Sequence, residues 1–306
     1  MAPRLIINAD DFGLTPGVNR AISELHQSNA LTSATLMATG LAFEDAVSIA
    51  RSHPTLGVGC HIVLTDGTPV SSPETIPTLI GADGKNFRPS LFDFVQALLR
   101  GVIHSEDIER ESLAQIQRLQ RAGISVTHID THKHTHLFPA VSRPLLNVLE
   151  RTGIQAIRNP FEPVFAQHLA HAGLKRRLQL ALLDYLRPAF VQLSQLRAAN
   201  VLTTDGTVGV SATGNLTPAT LTQILSALPA SGTFEFVCHP GYNDADLDHI
   251  QTRLRSHREI EMQALLTAIP VALSQPNAPS LIHYGNLNSL AASEPGKVST
   301  PSLAPS

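Results

Sequence analysis

Cysteine is scarce: Cys60 and Cys238 are the only two in 306 residues. That excludes a disulfide framework, and the two have no zinc-ribbon spacing. Charge is scarce as well. Asp, Glu, Lys and Arg make up 15% of the chain, and the net charge is −3. Such a balance offers no basic face to nucleic acid or to an anionic membrane. Long apolar runs are missing too, since nothing approaches the roughly 20 residues of a membrane span. The opening "MAPRLIINADD" reaches a carboxylate pair too soon for a signal peptide's apolar region. There is no internal repeat. These absences lead us to expect a cytoplasmic protein in a reducing compartment, with no nucleic-acid partner and no transmembrane segment.

What is present is a chain with 43% hydrophobic residues, enough for a sizeable core. Short apolar runs alternate with longer helical patterns. Strands are expected at "RLIINA" (4–9), "SATLMAT" (33–39), "GVGCHIVL" (57–64), "ISVTHID" (124–130), "IQAIRN", "TFEFVCH" (233–239) and "SLIHY" (280–284). Helical patterns lie between them, including 91–122, most of 163–198, and a stretch from about Asp246 to Ala268. A Pro-, Gly- and Ser-rich loop covers Asp66 to about Pro89. This alternation implies parallel strands joined by crossover helices. The expected fold class is α/β, a single domain over 1–288 with helical and loop insertions, whose strand count and length fit a barrel better than an open sheet while periodicity leaves closure open. Residues 289–306 form a low-complexity tail expected to be flexible.

Several strands share one pattern: an apolar run ends in an ionisable residue, and a turn follows. "LIINA" ends in Asp10 and Asp11, "VGC" runs into His61, "VTHID" ends at His132, "QAI" ends in Arg158, and "FEFVC" ends in His239. In parallel α/β folds the C-terminal strand ends share one face, and active sites form there. Five such ends drawn from Asp, His and Arg exceed what loop polarity explains. A catalytic Zn²⁺ commonly takes three protein ligands from His and carboxylate and keeps one position for water. Asp11, His61 and His132 can supply that set. Asp10 is then a candidate to accept the water's proton. His239 can donate to a leaving amine, since histidine ordinarily titrates near neutral pH. Adjacent side chains diverge on an extended backbone, so Asp10 and Asp11 are assigned different work.

The stretches "NADDFG" (8–13), "GCHIVLTDGTPV" (59–70), "THIDTHKHTHLFP" (127–139) and "CHPGY" (238–242) together resemble the YdjC-like carbohydrate deacetylases. That family includes chitooligosaccharide deacetylases and a hopanoid-biosynthesis deacetylase. Order and approximate spacing match from Arg4 to about Leu287. The resemblance implies a distorted (β/α) barrel and one divalent metal held by Asp11, His61 and His132. It further implies Asp10 as general base and His239 as general acid, with Arg158 orienting the base or lining the substrate cleft. An Asp-His-His set suits Zn²⁺, and Mg²⁺ stays open. The implied reaction removes acetyl from an N-acetylated amino sugar, either an oligosaccharide or a glycolipid, and the family type implies a homodimer. Two departures are Cys60 directly before His61 and Lys133 directly after His132. Both are expected to point away from the metal.

Blander roles compete at several positions. Cys60 and Cys238 are expected to be buried as small apolar residues rather than redox-active. His128 and Asp130 are expected to be structural or to orient a ligand. His134 and His136 contact substrate or are solvated. Phe87 stacks on a sugar or packs in the core. The loop from Asp66 and the segment 163–200 are expected to wall the cleft. Two other functions remain open: a metal-dependent phosphoesterase, suggested by the H-x-H-x-H form of "HKHTH", and a non-catalytic metal- or sugar-binding protein.

Overall fold

A computed structural model describes residues 2–167, 169, 184–196, 201–250 and 252–293. Its strands are β1 (Arg4–Phe12), β2 (Ser33–Leu36), β3 (Gly57–Ile62), β4 (Ile129–Thr131), β5 (Gly206–Val208), β6 (Thr233–Cys238) and β7 (Ser280–Leu281). The sheet order is β4-β3-β2-β1-β6-β5, and β7 pairs with the start of β1. All these pairings are parallel. The sheet curls, and single bridges carry it further round, from Ile129 to Ile157 and from Ala156 to Leu202. The fold is thus a distorted (β/α) barrel with flanking helices: the strand–helix alternation implied the parallel strands, and the family resemblance implied the barrel.

The helices are α1 (Pro16–Gln27), α2 (Phe43–Ser52), α3 (Leu91–Leu99), α4 (Ser105–Arg121), α5 (Pro139–Thr152), α6 (Val164–Gln167), α7 (Arg187–Leu196), α8 (Pro218–Ser226), α9 (Ser256–Leu273) and α10 (Leu287–Ser293). Their starts follow from local chemistry. Thr15 caps α1 by accepting from the Val18 amide, with Pro16 in the first turn. Thr217 and Pro218 open α8 in the same way. The apolar stripe Val18, Ala21, Ile22 and Leu25 then buries α1 against the sheet.

Strand parity sorts the barrel. Leu5, Ile7 and Ala9 of β1, Val58, Cys60 and Ile62 of β3, and Phe234, Phe236 and Cys238 of β6 belong to the core under the helices. Alternate residues therefore face the barrel interior: Ile6, Asn8 and Asp10, then Gly59 and His61, then Glu235. Ile6, Ala156, Tyr284 and Leu287 form a small separate cluster that closes the barrel floor. Both cysteines are free and buried, with burial pushing each thiol up. They lie on the parity that points away from the interior.

Several expected elements differ in extent. The helical stretch 91–122 is two helices, because Gly101 adopts φ +69 and ends the first. The strand expected at 124–130 contracts to Ile129–Thr131. The "IQAIRN" strand is reduced to single bridges, and Pro160 and Pro163 lack the amide donors that would extend a ladder. The helix expected from Asp246 begins at Ser256, after a short 3-10 turn over Ala245–His249. Strand β5 and helix α8 lie in a stretch for which sequence suggested no element. Helix α10 extends past the boundary at 288, and 294–306 lie outside the described residues, as does much of 163–200.

Candidate active site

The C-terminal ends of β1, β3, β4 and β6 bring the ionisable strand ends together. The ladder between β1 and β2 shifts register between Ala9 and Phe12, and Asp11 adopts φ +64. This irregularity matters for the site. On a regular strand Asp10 and Asp11 would face opposite sides of the sheet. The left-handed residue turns both carboxylates to the barrel mouth, and it is a conformation that non-glycine residues seldom adopt. Gly13 follows with φ +89, so the turn that ends the "DDFG" segment needs its glycine.

Asp11 Oδ1 lies 3.6 Å from His61 Nε2 and 3.5 Å from His132 Nδ1, and the two ring nitrogens are 3.3 Å apart. Ligands about 2.0–2.1 Å from a tetrahedral ion sit roughly 3.3–3.4 Å from one another. The triangle therefore fits three ligands of one divalent ion. His61 directs its other nitrogen, Nδ1, to Asp130 Oδ1 at 2.8 Å. Metal-binding imidazoles commonly have such a carboxylate partner, which fixes tautomer and ring angle. Burial opposes a charge on His61, but Asp130, Asp10 and Asp11 outweigh it and push the imidazole up to about 9. A cluster that holds a proton so firmly is electrostatically suited to a cation.

A second cluster, Asp10, His61 and Asp130, is also close enough to hold an ion. Its position is already taken. Arg158 is fully buried and donates to Asp10 through Nη1 at 2.9 Å and Nη2 at 2.6 Å. It also pairs with Asp130 and donates to Glu235 through Nε at 2.9 Å and Nη2 at 2.6 Å. A guanidinium between Asp10 and Asp130 leaves no room for a metal there. Glu235 is braced in turn by Tyr284 Oη from the barrel floor and by Thr207 Oγ1.

Asp10 is buried, which alone would raise it. Arg158, followed by His61 and His239, reverses this and holds its carboxyl well below the usual carboxylate range. His239 Nε2 stands 3.7 Å from Asp10 Oδ2, and its Nδ1 is 3.9 Å from Glu261 Oε2. Asp11 is likewise lowered: Arg258 and His132 overcome the burial. Arg258 Nη2 donates to Asp11 Oδ2 at 2.6 Å. All six residues singled out from sequence, Asp10, Asp11, His61, His132, Arg158 and His239, thus meet in one place.

The histidine-rich stretch behaves differently from its alternating spacing. Beyond Thr131 it is no strand, because Lys133 and His134 take φ of +56 and +53 and the chain coils. Of its histidines only His132 joins the triangle. His136 is buried and bonded to Thr131 Oγ1 at 2.6 Å, so the solvated alternative fails for it. Burial, with Arg158 adding, lowers His134 to about 3. His128 is buried near the floor, stacked on Tyr284 at 3.8 Å. Phe87 packs in the core. Lys133 pairs with Asp66, which ties the base of the long loop to the site, while Glu111 and Asp107 of α4 hold its middle.

Three contributors were not found in the sequence. Glu235 carried a usable signal, an acid between two phenylalanines in a strand. Arg258 and Glu261 carried none, because charges spaced this way on a helix look like a solvated face.

A family model described as YdjC-like protein matches residues 4–270. A carbohydrate deacetylase of Geobacillus stearothermophilus is 34% identical over 242 residues, 79% of this chain and 81% of that protein. One from Brevibacillus brevis is 46% identical over 147 residues, but the match spans only 48% of this chain and 56% of that protein. One from Thermoanaerobacter pseudethanolicus is 27% identical over 92% of this chain and 98% of its own length. Among solved structures, an Enterococcus faecalis V583 protein named for cellobiose-phosphate cleavage superimposes with a TM-score of 0.71. It is 26% identical, and the match covers 94% of this chain and 99% of that one.

Proposed function

The chain belongs to the YdjC-like protein family, and on that footing we propose that it is a metal-dependent carbohydrate N-deacetylase. It takes an N-acetylated amino sugar, in an oligosaccharide or a glycolipid, and releases acetate and the free amine. The carrying observation is the 3.3–3.6 Å triangle of Asp11, His61 and His132 beside an arginine-held Asp10 and His239. The relatives named carbohydrate deacetylase support the same reading.

When bound, a divalent ion supplies Lewis acidity to the acetamide carbonyl and to the attacking water. The remaining work falls to the chain's own groups. Arg158 keeps Asp10 ionised and fixes its carboxylate, so Oδ2 is an oriented acceptor for the water's proton. His239 Nε2, 3.7 Å from Oδ2, would give a proton to the sugar nitrogen as the C–N bond breaks. One water is consumed and one acetate is formed. Asp130 pairs with His61 Nδ1 and so keeps Nε2 turned toward Asp11 and His132, where a metal would be held. The Asp-His-His set favours Zn²⁺ over Mg²⁺.

The phosphoesterase alternative loses its motivation, because His134 and His136 do not join His132 at the triangle. A purely binding role leaves the Asp10–His239 pair without work. No helix among the described residues is long and apolar enough to cross a membrane. Two free, buried cysteines support a reducing, cytoplasmic setting.

The test is to load the protein with Zn²⁺ or Mg²⁺, incubate it with a panel of N-acetylated sugars and glycolipids, and assay acetate. Release that depends on the metal and is lost in His61→Ala is the expected result. Phosphate release from sugar phosphates without acetate release from any substrate would sink the proposal.

A further inference from the structure

The start of helix α9 is built into the site, although no strand end or motif marks it. Arg258 is 1% exposed and Glu261 2%, one helical turn apart. Arg258 spends Nη2 on Asp11 Oδ2 at 2.6 Å and Nε on the Leu254 carbonyl at 3.0 Å. Among the described residues Asp11 is its only carboxylate partner. Glu261 Oε2 accepts the His239 amide at 2.7 Å, and Oε1 accepts the Gly214 amide at 3.2 Å. Glu259 accepts the Asn243 amide at 2.9 Å, which pins the far end of the same loop.

We propose that this turn of α9 is the positioning element of the site: Arg258 fixes Asp11 as a one-oxygen metal ligand, and Glu261 fixes the His239 backbone. The inference rests on the metal reading given above. Asp11 needs such a clamp. Its backbone is left-handed, and its carboxylate could turn either oxygen to an ion. With Oδ2 committed to Arg258, only Oδ1 faces His61 and His132. The glycine of "CHPGY" belongs to the same device. A Cβ on Gly241 would stand 3.1 Å from Arg258 Cδ and 3.0 Å from Val18 Cγ2, so one or both would have to give by a few tenths of an ångström. Outer partners of metal ligands typically matter 10–100-fold in affinity or activity.

The experiment titrates zinc into wild type, Arg258→Gln, Arg258→Lys, Gly241→Ala and Glu261→Gln against a competing chelator, with thermal melting as the folding control. Arg258→Gln should bind zinc about 10–100-fold more weakly. Arg258→Lys should recover part of that loss, because it keeps the charge without the fork. Gly241→Ala, which removes no charge, should weaken zinc in the same direction by less, and Arg258→Lys serves if Arg258→Gln does not fold. Glu261→Gln should leave zinc affinity unchanged and shift the His239 backbone amide resonance in the NMR spectrum. Unchanged zinc affinity in a folded Arg258→Gln variant, or in Arg258→Lys if only that variant folds, overturns the Arg258 assignment while leaving the metal reading intact. An unmoved His239 signal in Glu261→Gln overturns the other half. If wild type itself binds neither zinc nor magnesium, the metal reading falls, and the Arg258 role falls with it.

Discussion

Asp10 and Asp11 are neighbours in the chain, yet each carboxylate is gripped by a different arginine: Asp10 by Arg158 from below and Asp11 by Arg258 from helix α9. One acid is thereby turned toward His239 and the other toward His61 and His132. The two can do different work although only one peptide bond separates them.

Exchanging each acid for its amide should separate those roles. Asp10→Asn is expected to keep its zinc and to lose about 10²–10⁴ in deacetylation rate, the usual worth of general-base help. Asp11→Asn is expected to lose the metal. Metal content measured by atomic emission, alongside acetate release, checks both. Zinc lost from Asp10→Asn and kept by Asp11→Asn would reverse the assignment.

Zinc binding should release protons. His61 is pushed up to about 9 by Asp130, Asp10 and Asp11, so below that pH the metal-free protein carries a proton on the imidazole. A metal needs the neutral nitrogen, and the proton must leave. Affinity should therefore rise between pH 6 and 8, by up to about tenfold per unit for one proton released. Calorimetry in two buffers of different ionisation enthalpy reads the proton count directly. Equal heats in both buffers would contradict it.

Arg158 should be a stability residue as well as an orienting one. Removing one partner of a buried ion pair commonly costs about 3–5 kcal/mol. Arg158→Gln leaves Asp10, Asp130 and Glu235 facing one another in the barrel. Denaturant unfolding should show a loss of that order. Acid stability should change too. The Asp10 pKa is lowered on folding, so its contribution is present above the ordinary carboxylate pKa of about 4 and fades as pH falls toward the lowered value. The variant should show a flatter decline over that acid range.

The two cysteines should be silent in the native protein. Both are buried, and burial pushes their thiols up. A disulfide-exchange reagent should titrate no thiol before unfolding and two afterwards. Fast labelling of Cys60 in the folded state would mean that β3 opens.

His239→Ala should slow amide hydrolysis more than hydrolysis of an acetyl ester whose leaving group needs no proton. The metal content should stay at the wild-type level, since His239 is outside the ligand triangle. Equal losses on the two substrates would return His239 to the role of a turn residue.

Some of this was fixed by local sequence. The alternation of apolar strands and amphipathic helices specified parallel strands with crossover helices, because each pattern decides which face can be buried, while closure of the sheet depended on tertiary structure. Ionisable residues at five strand ends marked the mouth, because parallel strands share one C-terminal face. Parity alone sent Cys60 away from His61. Tertiary structure decided the rest. Histidines alternate in sequence after Thr131, but two left-handed residues coil the segment and deliver only His132 to the triangle. The β1 irregularity turns both aspartates to one side, and no local pattern announces it. Arg258 looks like any helical surface charge until the fold sets it against an aspartate 247 positions earlier. Periodicity records which side of an element is buried. It does not record which buried charge from a distant element will meet it, and that pairing formed the site.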